Sequence, residues 1–104
     1  MSDVNILEEI KIDEKVDGLI DEPCNYKVIM LNDDKTPMEW VIDVLLTIFN
    51  HSQDTAEKFT LQIHQEGSAI VGIYKYEIAE QKSVEATNAS RERGFPLQLR
   101  IDSE

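Results

Sequence analysis

The sequence predicts a small α+β domain in which a three-stranded antiparallel sheet carries its helices on one face. Runs rich in β-branched and aromatic residues, typical of strands, occur at 26–31, 68–75 and 97–101. Apolar residues at helical spacing fill the stretches between them, two helices after the first strand and one after the second. A chain of 104 residues, 41% of them hydrophobic, suffices for one core. The predicted order is therefore β-α-α-β-α-β, a small open α/β sandwich spanning residues 26–104.

The strongest local signals lie in residues 26–49, which contain the first strand and the first helix. Asn and Asp residues at 32–34 favour a turn after the strand, because their side chains hydrogen-bond nearby backbone groups. Thr36 is placed to cap the helix, with Pro37 at its first position and Glu39 completing a capping box. The first helix has one apolar stripe, which predicts the face that packs on the sheet: Met38, Val41, Ile42, Leu45, Leu46 and Phe49.

The remaining elements have clear boundaries. Asp54 is placed to cap the second helix, with Glu57 completing the box, and Gly67 ends it. Gly72 indicates a bulge in the second strand or a close approach of another backbone. The third helix, 76–93, ends before Gly94 and Pro96, and its small residues allow it to lie close to the sheet: Ala79, Ser83, Ala86 and Ser90. In the last strand Leu97, Leu99 and Ile101 alternate with polar residues.

Residues 1–25 differ from the rest of the chain and are predicted to form a mobile acidic tail. The few apolar residues there support at most a marginal helix in isolation. Eight acids lie in this segment: Asp3, Glu8, Glu9, Asp13, Glu14, Asp17, Asp21 and Glu22.

The charge balance restricts the partners. A net charge of −11, without clustered Lys and Arg, argues against nucleic acid and against anionic membranes. A partner with basic or ammonium groups fits better. The single cysteine, Cys24, allows neither an internal disulfide nor a cysteine metal site. With no apolar run of membrane-spanning length and no secretory signal pattern, we expect a cytoplasmic protein.

The residues themselves favour a binding module over an enzyme. Asn32, Asp33 and Asp34 precede a helix whose apolar face begins at Met38, so this place can hold a ligand with a cationic head and an apolar tail, or it can be only a turn. His64 is predicted at the edge of the apolar face of the second helix, where it can interact with the helix dipole. A metal site built from two of these aspartates and His64 lacks a supporting motif, and no nucleophile elbow or phosphate loop is present. His51, in a polar connector, is predicted to be exposed and without function.

Several stretches together resemble one family. LNDDKTPMEWVIDVL, followed by an Ile-His pair, AIVGIY, EIAEQK and FPL, closely resembles ClpS, the adaptor that delivers N-end-rule substrates to the Clp AAA+ protease. The resemblance covers residues 26–101, and Trp40 replaces the usual Phe within the long block. It implies a non-catalytic, cofactor-free adaptor that works as a monomer.

The resemblance also implies a site. The adaptor binds polypeptides that begin with Phe, Tyr, Trp or Leu, and four residues here match those that bind the free α-amine: Asn32, Asp33, Asp34 and His64. Met38 matches the residue that excludes β-branched Ile and Val at the mouth of a hydrophobic pocket. That pocket is implied to be lined by Thr36, Pro37, Met38, Val41, Thr60, Ile63 and Leu97. Glu77 and Lys82 match residues that dock the N-terminal domain of the unfoldase, ClpA or ClpC.

Three further positions depart from the family pattern, and two other functions remain open. Thr60 stands where a larger apolar residue is common, which puts the ranking among Phe, Tyr, Trp and Leu in doubt, while Lys35 and Gln65 replace aromatic residues. The same element order resembles the C-terminal domain of the bacterial ribosomal stalk protein, an assembly module that docks factors through a helix face. The other alternative is a metal-dependent hydrolase built on Asp33, Asp34 and His64.

Overall fold

The computed structural model describes residues 24–104, so nearly all of the predicted acidic tail lies outside the described residues. The predicted order β-α-α-β-α-β is confirmed, and the first strand begins one residue earlier than predicted. The elements are β1 (Asn25–Leu31), α1 (Met38–Thr47), α2 (Gln53–Glu66), β2 (Ser68–Lys75), α3 (Tyr76–Glu92) and β3 (Gln98–Ser103).

The sheet is antiparallel throughout, and β1 is its central strand, in the order β2-β1-β3. Val28 pairs with Gly72 and Ile29 pairs with Ile70, so Val71 is an extra residue in β2. The bulge predicted from Gly72 is thereby confirmed. The Tyr74 ring lies over Gly72, where a Cβ atom would collide with it.

The core lies between one face of the sheet and the three helices. Val28 and Met30 of β1 are fully buried there, together with Val44 and Leu45 of α1. The predicted small-residue face of α3 is also confirmed, because its four members are all buried: Ala79, Ser83, Ala86 and Ser90. Small side chains allow this long helix to approach the sheet closely.

Both predicted N-caps are wrong. The N-cap of α1 is Pro37, and the Thr36 hydroxyl instead donates to Asp33 Oδ2 at 2.7 Å, because a carboxylate acceptor lies within reach on the preceding turn. The N-cap of α2 is Ser52, whose Oγ accepts from the Thr55 N–H at 3.2 Å, so this helix begins before Asp54. Asp54 lies in the first turn, where its negative charge interacts favourably with the positive end of the helix dipole.

The prediction that His51 is exposed is also wrong. The His51 ring is half-buried, 5.1 Å from the Phe59 ring, and Nε2 lies 2.6 Å from the carbonyl oxygen of Val71. Val71 is the bulge residue, which is left out of the strand pairing and therefore offers its carbonyl to a side chain. His51 thus joins the α1–α2 connection to the sheet.

The α2 helix ends as predicted. Gly67 has φ 93°, the left-handed conformation, and its N–H donates to the Ile63 carbonyl. Within the described part of the chain, no helix has both the length and the apolar character needed to cross a membrane.

Candidate functional site

The turn between β1 and α1 is held together by Asp33. Its Oδ1 accepts from the backbone N–H groups of Lys35 at 2.8 Å and Thr36 at 2.7 Å, and its Oδ2 accepts from the Thr36 hydroxyl at 2.7 Å. Both carboxylate oxygens are therefore engaged within the turn. Asp33 therefore stabilises the conformation of the turn through its own side chain.

The pKa of Asp33 reflects the same contacts. Desolvation by partial burial raises this pKa, but the hydrogen bonds from the Thr36 hydroxyl and from the Lys35 and Thr36 backbone together outweigh it. The net result is a pKa below the ordinary aspartate value, because these donors favour the charged carboxylate. The turn is thus most stable with Asp33 ionised.

Backbone hydrogen bonds bring the end of β1 to the end of α2. The Asn32 N–H donates to the Gly67 carbonyl at 2.9 Å, and Gly67 caps the last turn of α2, which contains His64. The carbonyl end of a helix dipole carries partial negative charge. The polar turn and the negative end of α2 therefore lie at the same edge of the sheet.

Three predicted amine-binding residues present open acceptors at this edge. Asn32, Asp34 and His64 are exposed, and their side chains make no hydrogen bond to any other residue in 24–104. Asp33 differs from its neighbours, since its carboxylate already has three donors. Asn32 and Asp34 flank it in the chain and remain accessible to a ligand.

The residues predicted to line the hydrophobic pocket fall into a buried set and a more exposed set. Val41, Ile63 and Leu97 belong to one buried cluster, and Thr60 is 5% exposed. The Thr60 hydroxyl donates to the Ala56 carbonyl at 2.8 Å, so its own helix satisfies it.

The more exposed set lies at and just before the start of α1. Met38 is 42% exposed, whereas Thr36 and Pro37 are half-buried. Met38 is the first residue of α1 and comes four positions after Asp34 in the chain. An exposed apolar side chain thus begins the helix that follows the polar turn.

The two predicted docking residues occupy different environments on α3. Glu77 is exposed and borders a surface groove of about 540 Å³. The Lys82 ammonium donates to the Ile48 carbonyl at 2.7 Å and lies 5.9 Å from the Phe49 ring centroid and 5.5 Å from that of Tyr74. Lys82 therefore closes the C-terminal end of α1.

The geometry does not support the metal-hydrolase alternative. Among residues 24–104, no group of three or more His, Cys, Asp or Glu side chains is arranged to hold a metal ion. Asp33, Asp34 and His64 thus do not form such a cluster.

Comparison with known proteins gives the family. The model of the family described as "ATP-dependent Clp protease adaptor protein ClpS" matches residues 21–100. The chain belongs to the ClpS family. This ClpS-family chain is 48% identical over 81 residues to the ATP-dependent Clp protease adapter protein ClpS of Treponema denticola, a match that covers 78% of this chain and 80% of the relative. It is 44% identical over 85 residues to that of Sodalis glossinidius, covering 82% and 80%.

A solved structure agrees in fold. The structure of Agrobacterium tumefaciens ClpS2 bound to L-phenylalaninamide superposes with a TM-score of 0.77 at 43% identity. The similarity covers 80% of this chain and all of the other. The fold and the family predicted from the sequence are therefore both confirmed.

The sequence predicts hydrogen bonds from the side chains at 32–34 to nearby backbone, and Asp33 makes them, together with a bond from the Thr36 hydroxyl that was not predicted. A second contact near the site was also missed. Trp40 Nε1–H donates to Ser90 Oγ at 2.8 Å and ties α1 to α3. No local pattern indicates a contact between residues 50 positions apart.

Proposed function

We propose that this ClpS-family chain is a non-catalytic adaptor that binds polypeptides by a free α-amine and a bulky hydrophobic N-terminal side chain, Phe, Tyr, Trp or Leu. It delivers them to the Clp AAA+ protease and so modulates its choice of substrates. One observation carries the proposal: Asn32 and Asp34 are exposed in the turn before α1, and the Asn32 N–H bonds to Gly67, which ends the helix that carries the exposed His64. The ligand of A. tumefaciens ClpS2, L-phenylalaninamide, has a free α-amine and a phenyl side chain.

The polar half of this site suits an ammonium group. An α-ammonium has three donors, and three acceptors around it satisfy it. Each charge-assisted bond contributes on the order of 1.5–3 kcal/mol. His64 serves as an acceptor for the ammonium when its ring is neutral. The negative end of the α2 dipole adds to the attraction.

The apolar half accounts for the N-terminal side chain. Burying one Phe or Leu side chain is worth roughly 1.5–3 kcal/mol. Met38 at the start of α1 would collide with a branch at Cβ, which selects against Ile and Val. Amine contacts and side-chain burial, less the ordering cost, correspond to an affinity near micromolar, about −8 kcal/mol.

Docking to the N-terminal domain of ClpA or ClpC is proposed to use α3. Glu77 is exposed there and available to a partner. Lys82 is held by the end of α1, so it contributes to docking only if that contact opens. The expectations that the protein is monomeric and acts in the cytoplasm stay predictions.

Fluorescence anisotropy with labelled peptides tests the proposal. Peptides that begin with Phe, Leu or Trp should bind, those that begin with Ile or Met should bind far more weakly, and α-acetylation of the Phe peptide should abolish binding. Equal binding of the free and acetylated peptides would contradict the proposed adaptor function.

Two aspartate variants localise the site. Asp34→Ala should weaken peptide binding, whereas the matched control Asp54→Ala, an exposed aspartate on α2, should not. If Asp34→Ala binds the peptide as tightly as the parent does, the turn is not the amine site, and the result favours the alternative of an assembly module.

A further inference from the structure

The last strand of the sheet, β3, lies at an edge. Among the described strands it has one neighbour, β1, so the backbone N–H and C=O groups on its other side have no strand partner there. The opposite edge differs, because Nε2 of the His51 ring lies 2.6 Å from the Val71 carbonyl oxygen of β2. An open edge such as that of β3 can accept an extended polypeptide as an additional strand.

A surface groove of about 330 Å³ is formed where α3 approaches β3. Three leucines give it an apolar part, in which Leu97 is buried and Leu31 and Leu99 are half-buried. Of these, Leu97 alone is shared with the predicted hydrophobic pocket. The rest of the lining consists of side chains that can donate hydrogen bonds: Thr87, Arg91, Gln98 and Arg100.

The charged side chains of this groove are basic. Arg91 and Arg100 are exposed, and no carboxylate is among the described residues that line the groove. By contrast, the groove that Glu77 borders is lined by three glutamates. Asp102 Oδ2 lies 3.2 Å from Arg100 Nε, but an exposed ion pair of this kind contributes little and can exchange partners. The groove between α3 and β3 therefore suits a ligand with carboxylates.

The two arginines flank the edge of the sheet from opposite faces. Leu99 packs against the core on the face that the helices cover, so its neighbour Arg100 lies on the other face by strand alternation. Arg91 belongs to α3 and lies on the helix side. Side chains of an added strand alternate in the same way, so two consecutive acidic residues in it can meet one arginine each.

We propose that the edge of β3 and the adjoining groove bind an extended segment of an acidic polypeptide, which adds to the sheet as a fourth strand. Its carboxylates pair with Arg91 and Arg100, and its apolar side chains cover Leu31 and Leu99. The chain as a whole has a net charge of −11, but charges more than about 8 Å away are largely screened at physiological ionic strength. The two arginines therefore dominate the local interaction.

A peptide titration of the whole chain, followed by NMR, tests the proposal. The probe is Thr-Val-Glu-Glu-Val-Thr, acetylated at its N-terminus and amidated at its C-terminus. It has no free α-amine, so the result does not depend on the proposed site for N-terminal residues. We expect saturable shifts of the backbone amides of Leu99, Arg100 and Ile101. A version with two glutamines in place of the glutamates should bind about five-fold more weakly, because both ion pairs are lost.

Charge-reversal variants check the receiving surface. Arg100→Glu should weaken binding of the glutamate peptide about five-fold, whereas the matched control Lys58→Glu, at an exposed position on α2, should not. The double variant Arg91→Glu/Arg100→Glu should instead prefer a version of the peptide with two lysines. Such an exchange of preference requires a folded edge, so it separates the loss of two charges from a loss of structure.

Four results would overturn the proposal. Unshifted amides in β3 would show that no strand adds there, and equal affinities of the glutamate and glutamine peptides would show that the arginines do not select carboxylates. Shifts centred on Asn32 and His64 would place the peptide at the turn before α1 instead. Shifts in β3 that appear without peptide and grow with protein concentration would make the occupant a second copy of the chain.

Discussion

Lys82→Met should destabilise the fold, because the ammonium of Lys82 closes the C-terminal end of α1. The variant loses the bond to the Ile48 carbonyl and the contacts with the Phe49 and Tyr74 rings. A hydrogen bond to a charged group contributes about 1.5–3 kcal/mol, and a cation–π contact near the surface about 0.5–1 kcal/mol. The ammonium is only half-buried and the methionine stem retains its packing, so the net loss should be about 1–2 kcal/mol.

Urea unfolding followed by the fluorescence of Trp40, the single tryptophan, measures this loss. With a slope near 1 kcal/mol/M for a small domain, the midpoint should fall by about 1–2 M. Lys58→Met is the matched control, because Lys58 is exposed on α2 and makes no side-chain hydrogen bond within residues 24–104. Its effect should stay within about 0.5 kcal/mol.

Equal midpoints for Lys82→Met and Lys58→Met would refute the reasoning. The Lys82 ammonium would then be in solvent and fully available for unfoldase docking. Glu77→Gln completes the comparison, since Glu77 is exposed in the first turn of α3 and the loss of its charge there should cost no more than about 0.5 kcal/mol. Weaker unfoldase binding by Glu77→Gln, with a loss of stability this small, would separate docking from folding.

Three further substitutions test the contacts around the site. Asp33→Ala should lower the free energy of unfolding by about 1–2 kcal/mol near neutral pH, because the turn loses its acceptor. The fold lowers the pKa of Asp33 below 3.8, so the stability that its carboxylate contributes is present above that pH and is lost as the pH falls through the folded-state pKa. In urea titrations at acid pH, the free energies of unfolding of parent and variant should therefore become equal. Ser83→Ala should be neutral or stabilising by up to about 1 kcal/mol in thermal unfolding, because Ser83 Oγ is buried without a hydrogen-bond partner among the described residues. Trp40→Phe should cost about 1 kcal/mol by circular dichroism, since the bond to Ser90 is lost; an unchanged melting temperature would contradict this.

Local periodicity was sufficient to predict the elements of this fold. The apolar stripe of α1, the small-residue face of α3 and the glycine that ends α2 each depend on residues within a few positions of one another. The N-caps of α1 and α2 were harder to predict, because near the start of each helix two side chains able to cap lie within three residues of each other. Ser52 and Asp54 compete at α2, and Asp33 engages the Thr36 hydroxyl ahead of α1.

Contacts between distant positions could not be predicted from one sequence. His51 was expected in solvent because its neighbours are polar, yet a bulge 20 positions away supplies its acceptor. Lys82 reaches Ile48 across 34 positions. Each contact depends on the helices having already packed on the sheet, so no local pattern indicates it.

In the candidate site, too, the sequence identifies the residues but not the contacts that each one makes. Three adjacent acceptors, Asn32, Asp33 and Asp34, look equivalent in the sequence, and all of them match family residues that bind the amine. In the fold, Asp33 accepts hydrogen bonds from the backbone N–H groups of Lys35 and Thr36, just before α1, and from the Thr36 hydroxyl. Its neighbours are left exposed on either side. The ionised Asp33 therefore orders the turn, which leaves Asn32 and Asp34 for the proposed contact with an incoming ammonium.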